Sequence, residues 1–166
     1  MITVYLGLGS NIEPAGNLRA GLDWLQQQYG VLETSATYQG AAVGFEGDPF
    51  WNLVVRLETD QSPGEMARFL RQLEYRMGRP RNATRFSART LDIDVLLYGE
   101  LTGKIDGLEL PRAEITENAF VLRPLAELAP ALTHPLVERT MADIWQDYPA
   151  EYQPLEMVEL GWEPAV

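Results

Sequence analysis

Three neighbouring runs, FWNLVVRLE (Phe50–Glu58), SPGEMARFLRQLEYRMG (Ser62–Gly78) and TLDIDVLLY (Thr90–Tyr98), decide how this chain folds. In the first, Trp51, Leu53, Val55 and Leu57 recur every second residue, the period of a strand with one buried face. The second opens as a helix: Ser62 stands at the N-cap, Pro63 at the first helical position and Glu65 three residues after the cap. Its apolar side carries Phe69, Leu70 and Leu73, it runs to about Met77, and Gly78 ends it. The third run is a strand whose apolar sequence is interrupted only by Asp92 and Asp94. Working outward, Thr3–Leu8 reads as a strand that breaks at Gly9-Ser10-Asn11. A helix follows over Asn17–Tyr29, with Leu18, Leu22 and Leu25 on one side and Gly30 after its end. Val31–Tyr38 reads as a strand, Gly40–Pro49 and Arg79–Arg89 as loops, Glu100–Leu110 as a hairpin and Ala119–Ala129 as a short helix. The tail after Pro149 carries only weak signals. The order is β-α-β-β-α-β with additions at the end, so the expected fold is an α+β, ferredoxin-like sandwich: an antiparallel sheet with two helices on one face.

Composition narrows the chemistry. The 166 residues suit one domain, and 46% hydrophobic with 22% charged residues suits a packed, soluble one. With no cysteine there is no thiolate nucleophile, disulfide or cysteine-ligated metal. The lone histidine, His134, precedes Pro135 in a turn and reads as structural. No apolar run approaches the ~20 residues that span a bilayer, and no basic segment opens the chain, so a cytoplasmic protein without a membrane partner is expected. With 24 acidic against 13 basic residues the net charge is −11, which should repel nucleic acid. The bases are nonetheless concentrated, because seven arginines fall between Arg68 and Arg89, where Glu74 is the only acid. An acidic chain with one arginine field is suited to a compact polyanion, since Arg binds phosphate oxygens through paired donors.

Asp92 and Asp94 lie two apart on a strand, so they share a face with their side-chain origins about 6–7 Å apart. They are either a solvated pair on an exposed face or hard-oxygen ligands for magnesium, which completes its shell with water and phosphate. Two such ions could bridge neighbouring phosphate oxygens. Arg79, Arg81, Arg85 and Arg89 lie just upstream, and carboxylates facing arginines are the parts needed for transfer of a phosphoryl-type group. The glycine-lysine pattern of a P-loop is missing.

Arg79-x-Arg81 followed by Arg85-Phe86-Ser87-Ala88-Arg89-Thr90-Leu91-Asp92-Ile93-Asp94 resembles the signature of the 6-hydroxymethyl-7,8-dihydropterin pyrophosphokinase family. Gly7-Leu8-Gly9-Ser10-Asn11, Asn52, Leu73-Glu74 and Phe120 near Arg123-Pro124-Leu125 are similar too. The similarity runs over roughly residues 2–135, leaving 136–166 as a C-terminal extension of a single domain. It implies transfer of pyrophosphate from ATP to the pterin hydroxymethyl group, leaving AMP. By position, Asp92 and Asp94 would bind two magnesium ions, and Asp94 would draw the hydroxyl proton. Arg79 and Arg89 would act on the transferring phosphates, and Glu74, Arg81, Arg89 and Val95 would lie on the ATP side. The pterin would sit between Phe50 and Phe120, read by Asn52 and backbone near Val43, beside Gly9. Small-molecule partners and a monomer are expected. The chain departs from the family in Phe86-Ser87-Ala88 for Trp-Gly-Pro, in Asn118 for an arginine, and in Gly40-Ala41-Ala42-Val43-Gly44 for Thr-Pro-Pro-Leu-Gly. It also has Arg112-Ala113 where His-Tyr is usual, and Arg112 is expected to reach a nucleotide phosphate. The other readings are a divergent paralogue acting on another hydroxymethyl heterocycle and a catalytically silent pterin- or nucleotide-binding protein. A ferredoxin-like nucleic-acid-binding module would need basic residues and exposed aromatics on its sheet, and the aspartate pair and the acidic balance argue against it.

Overall fold

The computed structural model describes residues 1–42, 46–78 and 90–164; the expectations placed on Val43, Arg79, Arg81, Arg85 and Arg89 lie outside them. Strand β1 (Ile2–Ser10) is central: β4 (Phe50–Thr59) pairs with one of its edges and β5 (Asp92–Tyr98) with the other, both antiparallel. Beyond β4 lie β2 (Glu33–Thr34), β3 (Thr37–Gly40) and, outermost, β8 (Glu156–Val158). Helices α1 (Pro14–Tyr29) and α2 (Pro63–Arg76) cover one face. Leu18, Leu22, Leu25, Met66, Leu70 and Leu73 pack there onto Leu6, Leu8, Leu53, Val55, Ile93 and Val95. Each such side chain contributes about 1.5–3 kcal/mol by burial.

The other face is covered as well, by α3 (Glu114–Glu117), α4 (Ala119–Leu128) and α5 (Met141–Asp147), which pack against Tyr5, Val54, Leu96 and Leu97. The sandwich therefore has three layers, with the expected pair of helices on one side only. Helix α4 is tied down by Tyr38, whose hydroxyl donates to Glu127 and whose ring carries the Arg123 guanidinium 4.5 Å above its centre. A short hairpin, β6 (Gly103–Ile105) and β7 (Leu108–Leu110), follows β5 as the sequence suggests.

Several elements differ from expectation, β1 among them, which continues through Gly9 to Ser10 instead of breaking there. The strand expected over Val31–Tyr38 is two pieces, β2 and β3. Between them the Ser35 hydroxyl accepts the Val54 amide at 2.9 Å, so a side chain replaces one rung of the ladder. Helix α1 starts at Pro14, where proline's fixed φ suits a first turn, rather than at Asn17; the Asn17 side-chain Nδ2 donates instead to the Ile12 carbonyl at 2.6 Å. The tail after Pro149 is structured, since β8 completes the sheet, and before it Thr140 caps α5 by accepting from Asp143. In β5 the register slips by one residue opposite Tyr5/Leu6, so Leu96 and Leu97 both face α4 while Val95 and Tyr98 face α1 and α2.

Candidate active site

The floor of the site is the glycine-bearing end of β1. Gly9 stands opposite Asn52 on β4 and opposite Asp92 on β5, and Gly7 stands opposite Val54 and Asp94. Side chains at cross-strand positions share a face, so Asn52, Asp92 and Asp94 project on the α4 side over residues that have no side chain of their own. The space over Gly9 is used: a β-carbon there would sit 2.6 Å from Asn52 Oδ1 and 3.7 Å from the Phe50 ring. On one flank the site is thus an aromatic ring and an amide, and on the other a pair of carboxylates. Phe120, half-buried in the first turn of α4, lies in the layer that covers this face.

The carboxylate side is highly polar. Arg112 is fixed beside β5 by its amide, which donates to the Leu96 carbonyl at 2.9 Å. Its guanidinium lies 3.6 Å from Asp94 Oδ1 and donates to Glu114 Oε1 at 2.7 Å from Nη2 and 3.1 Å from Nε. Glu114 Oε2 in turn accepts from the Asn118 amide at 3.3 Å. Burial pushes the Asp94 carboxyl well above the ordinary carboxylate range; the Asp92 charge pushes it the same way, and Arg112 only partly opposes them. Among the described residues no group of three or more histidines and acids gathers into a closed metal cage. Two hard-oxygen donors on one face therefore fit a magnesium ion that keeps water and phosphate in the rest of its shell.

Two residues expected on the nucleotide side are placed with their side chains elsewhere. Glu74 is 3% exposed; its Oε2 accepts the Ile93 amide at 2.9 Å, and Arg71 Nε approaches Oε1 at 3.7 Å. The carboxylate thus seals the outer edge of β5 between the two aspartates. The Val95 side chain is buried in the α1/α2 core, which leaves only its main chain at the sheet edge for a ligand. His134 is buried in a turn, where Nδ1 accepts from the amides of Val137 and Leu136, as a structural histidine should. Glu114 and Gln153 are polar members of the site's surroundings that the sequence does not signal. Glu114 joins it within a local turn, through Arg112 and Asn118, and Gln153 through hydrogen bonds to residues 118 and 119 that leave no periodic trace.

Residues 5–130 match the family described as 7,8-dihydro-6-hydroxymethylpterin-pyrophosphokinase (HPPK). The 2-amino-4-hydroxy-6-hydroxymethyldihydropteridine pyrophosphokinase of Haemophilus influenzae is 35% identical over 139 residues, 81% of this chain and 86% of that one. The protein of the same name from Pseudomonas aeruginosa is 37% identical over 136 residues, 80% of this chain and 83% of that one. The Dictyostelium discoideum folic acid synthesis protein FOL1 is 34% identical over 82% of this chain, which spans only 21% of that longer protein. In fold, the wild-type HPPK-DHPS structure of Plasmodium falciparum matches with a TM-score of 0.70 at 14% identity, over 90% of this chain and 45% of that one. An antiparallel sandwich bearing paired carboxylates beside an aromatic flank suits a group-transfer enzyme. The chain belongs to the 7,8-dihydro-6-hydroxymethylpterin-pyrophosphokinase family, transferases of folate synthesis that use ATP as co-substrate. No helix among the described residues is long and apolar enough to cross a membrane.

Proposed function

We propose that the chain transfers pyrophosphate from ATP to the hydroxymethyl group of 6-hydroxymethyl-7,8-dihydropterin, forming the pterin diphosphate and AMP. The observation that carries this reading is the cross-strand row Asn52–Gly9–Asp92. Strands lie about 4.8 Å apart, so the amide and the carboxylate stand about 10 Å from each other across a bare glycine. That span fits a flat bicyclic ring on the Phe50/Asn52 side whose exocyclic carbon reaches toward the aspartates. The ring stacks between Phe50 and Phe120, and Asn52 with backbone near Val43 reads its polar edge.

Asp92 and Asp94 would hold two magnesium ions, which when bound neutralise the phosphate oxygens and shield the carboxylates from one another. In the transfer, the hydroxymethyl oxygen forms a bond to the β-phosphorus of ATP while the bond from that phosphorus to the α,β-bridging oxygen breaks, and AMP leaves with that oxygen. Asp94 is assigned the hydroxyl proton from its place in the family's Asp-x-Asp signature; it shares a face with Asp92 and Asn52. Arg79 and Arg89 are assigned to the transferring phosphates and Arg81 to the nucleotide; Arg112, beside Asp94 and paired with Glu114, is assigned a further charged contact to the nucleotide. Glu74 supports this side by fixing the strand that bears both aspartates.

Asn52, Asp92 and Asp94 stand on neighbouring strands of one sheet, so a single chain can assemble the site for small-molecule substrates. β8 joins the same sheet as β1, which supports reading residues 1–166 as one domain. The test is a pair of variants, Asp92→Ala and Asp94→Ala. Loss of a metal ligand removes several kcal/mol of transition-state stabilisation, so turnover should fall by roughly a thousandfold or more while the fold is kept. Unchanged turnover in both at saturating magnesium overturns the assignment.

A further inference from the structure

We propose that the C-terminal segment Gln153-Pro154-Leu155 is a positioning strap for the ring-binding side of the site, because one end clasps the backbone just before Phe120 and the other packs on the glycine opposite Phe50. This rests on the reading of Phe50 and Phe120 as the two sides of the pterin slot. The segment lies beyond residues 5–130, the part that matches the family model.

The clasp on α4 is explicit. A helix start leaves backbone N–H groups without partners, and the residue at the cap normally supplies an acceptor. Asn118, at the cap of α4, makes no such bond with its side chain. Its amide nitrogen is turned to Glu114, and its Oδ1 accepts from Gln153 Nε2 at 2.9 Å. Gln153 Oε1 then accepts from the Ala119 amide at 2.8 Å, doing from 34 residues away what a cap residue does locally. One side-chain amide thereby fixes residues 118 and 119 together, immediately before Phe120. The need is greater than in an ordinary helix, because Pro124 has no N–H to give the Phe120 carbonyl. Tyr148 steadies the same turn by donating to the Glu117 carbonyl at 2.8 Å.

The other end of the strap meets β3. Gly40 pairs with Phe50, and a β-carbon on Gly40 would lie 2.8 Å from Leu155 Cδ2, so the leucine occupies the space a side chain there would need. Strand β8 then runs along β3, with Gln39 opposite Glu156 and Thr37 opposite Val158. The end is fastened to α1: Arg19 donates to the Leu160 carbonyl at 2.8 Å and Trp162 Nε1 to Asp23 at 2.9 Å. Gln153 and Leu155 are two residues apart, about 7 Å at full extension, and Pro154 between them has a fixed φ. The strap is therefore a short, stiff spacer between the two sides of the slot.

The experiment compares Gln153→Met, which keeps length and loses both hydrogen bonds, with Gln153→Glu, which keeps the acceptor for Ala119, and with Phe120→Ala. Affinity for 6-hydroxymethylpterin is read from its own fluorescence, and affinity for magnesium with a non-hydrolysable ATP analogue by calorimetry. Gln153→Met should weaken the pterin about tenfold, the scale of one or two lost hydrogen bonds, with nucleotide affinity within about twofold. Gln153→Glu should recover part of the pterin affinity, and it carries the comparison alone if the methionine variant does not fold. If Phe120→Ala weakens the pterin while the Gln153 variants leave it unchanged, or weaken pterin and nucleotide equally, the strap proposal is overturned and the slot stands. If Phe120→Ala itself leaves pterin affinity unchanged, the slot reading falls and the strap with it.

Discussion

Glu74→Ala isolates a link between the core and the chemistry, because the Glu74 carboxylate holds the Ile93 amide between Asp92 and Asp94 at 2.9 Å. A hydrogen bond to a charged acceptor contributes about 1.5–3 kcal/mol, and its removal leaves a buried N–H without this acceptor. Truncation to alanine also opens space under α2, which adds to the loss. The Arg71 contact adds little: at 3.7 Å, with the arginine side chain 57% exposed, it belongs with weak surface pairs. Burying a carboxylate is itself costly, and Glu74→Gln removes that cost while keeping an acceptor of the same shape. The alanine variant should therefore lose about 2–4 kcal/mol and the glutamine variant less than about 1 kcal/mol. With a urea dependence of roughly 2 kcal/mol/M for a chain of this size, the alanine midpoint falls by about 1–2 M. Hydrogen exchange at the Ile93 amide should quicken in the alanine variant before any other residue of β5. A glutamine variant as destabilised as alanine, or an alanine variant within about 0.5 kcal/mol of wild type, refutes the reasoning.

Two further outcomes follow from named contacts. Arg112→Ala should weaken binding of magnesium-ATP by about 1–3 kcal/mol and leave pterin affinity near wild type, whereas Arg112→His should restore more binding below pH 6.5 than at pH 8, as a titrating side chain does; calorimetry at both pH values reads it. Burial holds the His134 imidazole below its ordinary value of 6.5, and its Nδ1 accepts from two turn amides. The unfolded chain then binds more protons than the folded one between the two values, so this stability is present above about pH 6.5 and is lost as pH falls from there through the lower folded value. His134→Gln should flatten the fall in urea midpoint between pH 7 and 5.5, and an NMR titration placing the lone imidazole at or above 6.5 contradicts it.

The parts of the fold legible in the sequence are those governed by one-dimensional periods. Alternation at Leu91, Ile93 and Val95 puts Asp92 and Asp94 on the opposite face, and the glycines of β1 give that face its floor. The one-residue slip at Leu96 leaves no mark, because Leu96 and Leu97 are apolar and both faces of the sheet are covered there. The break at Ser35 was hidden for a different reason: the serine hydroxyl takes a backbone's place in the ladder, so the run around it still reads as strand. The row Arg112–Glu114–Asn118–Gln153 combines one local turn with a 35-residue separation between neutral amides, for which no composition or spacing rule exists. The grip of Glu74 on Ile93 was not legible, since a strand edge becomes visible only once strand order is known.

The most direct measurement is to incubate the protein with ATP, magnesium and 6-hydroxymethyl-7,8-dihydropterin and to separate the nucleotides formed. Pyrophosphate transfer breaks ATP between its α- and β-phosphates, so AMP should appear in step with a pterin diphosphate, at no more than a trace in the Asp92→Ala and Asp94→Ala variants. ADP as the product, or nucleotide breakdown at the same rate without the pterin, would contradict the account.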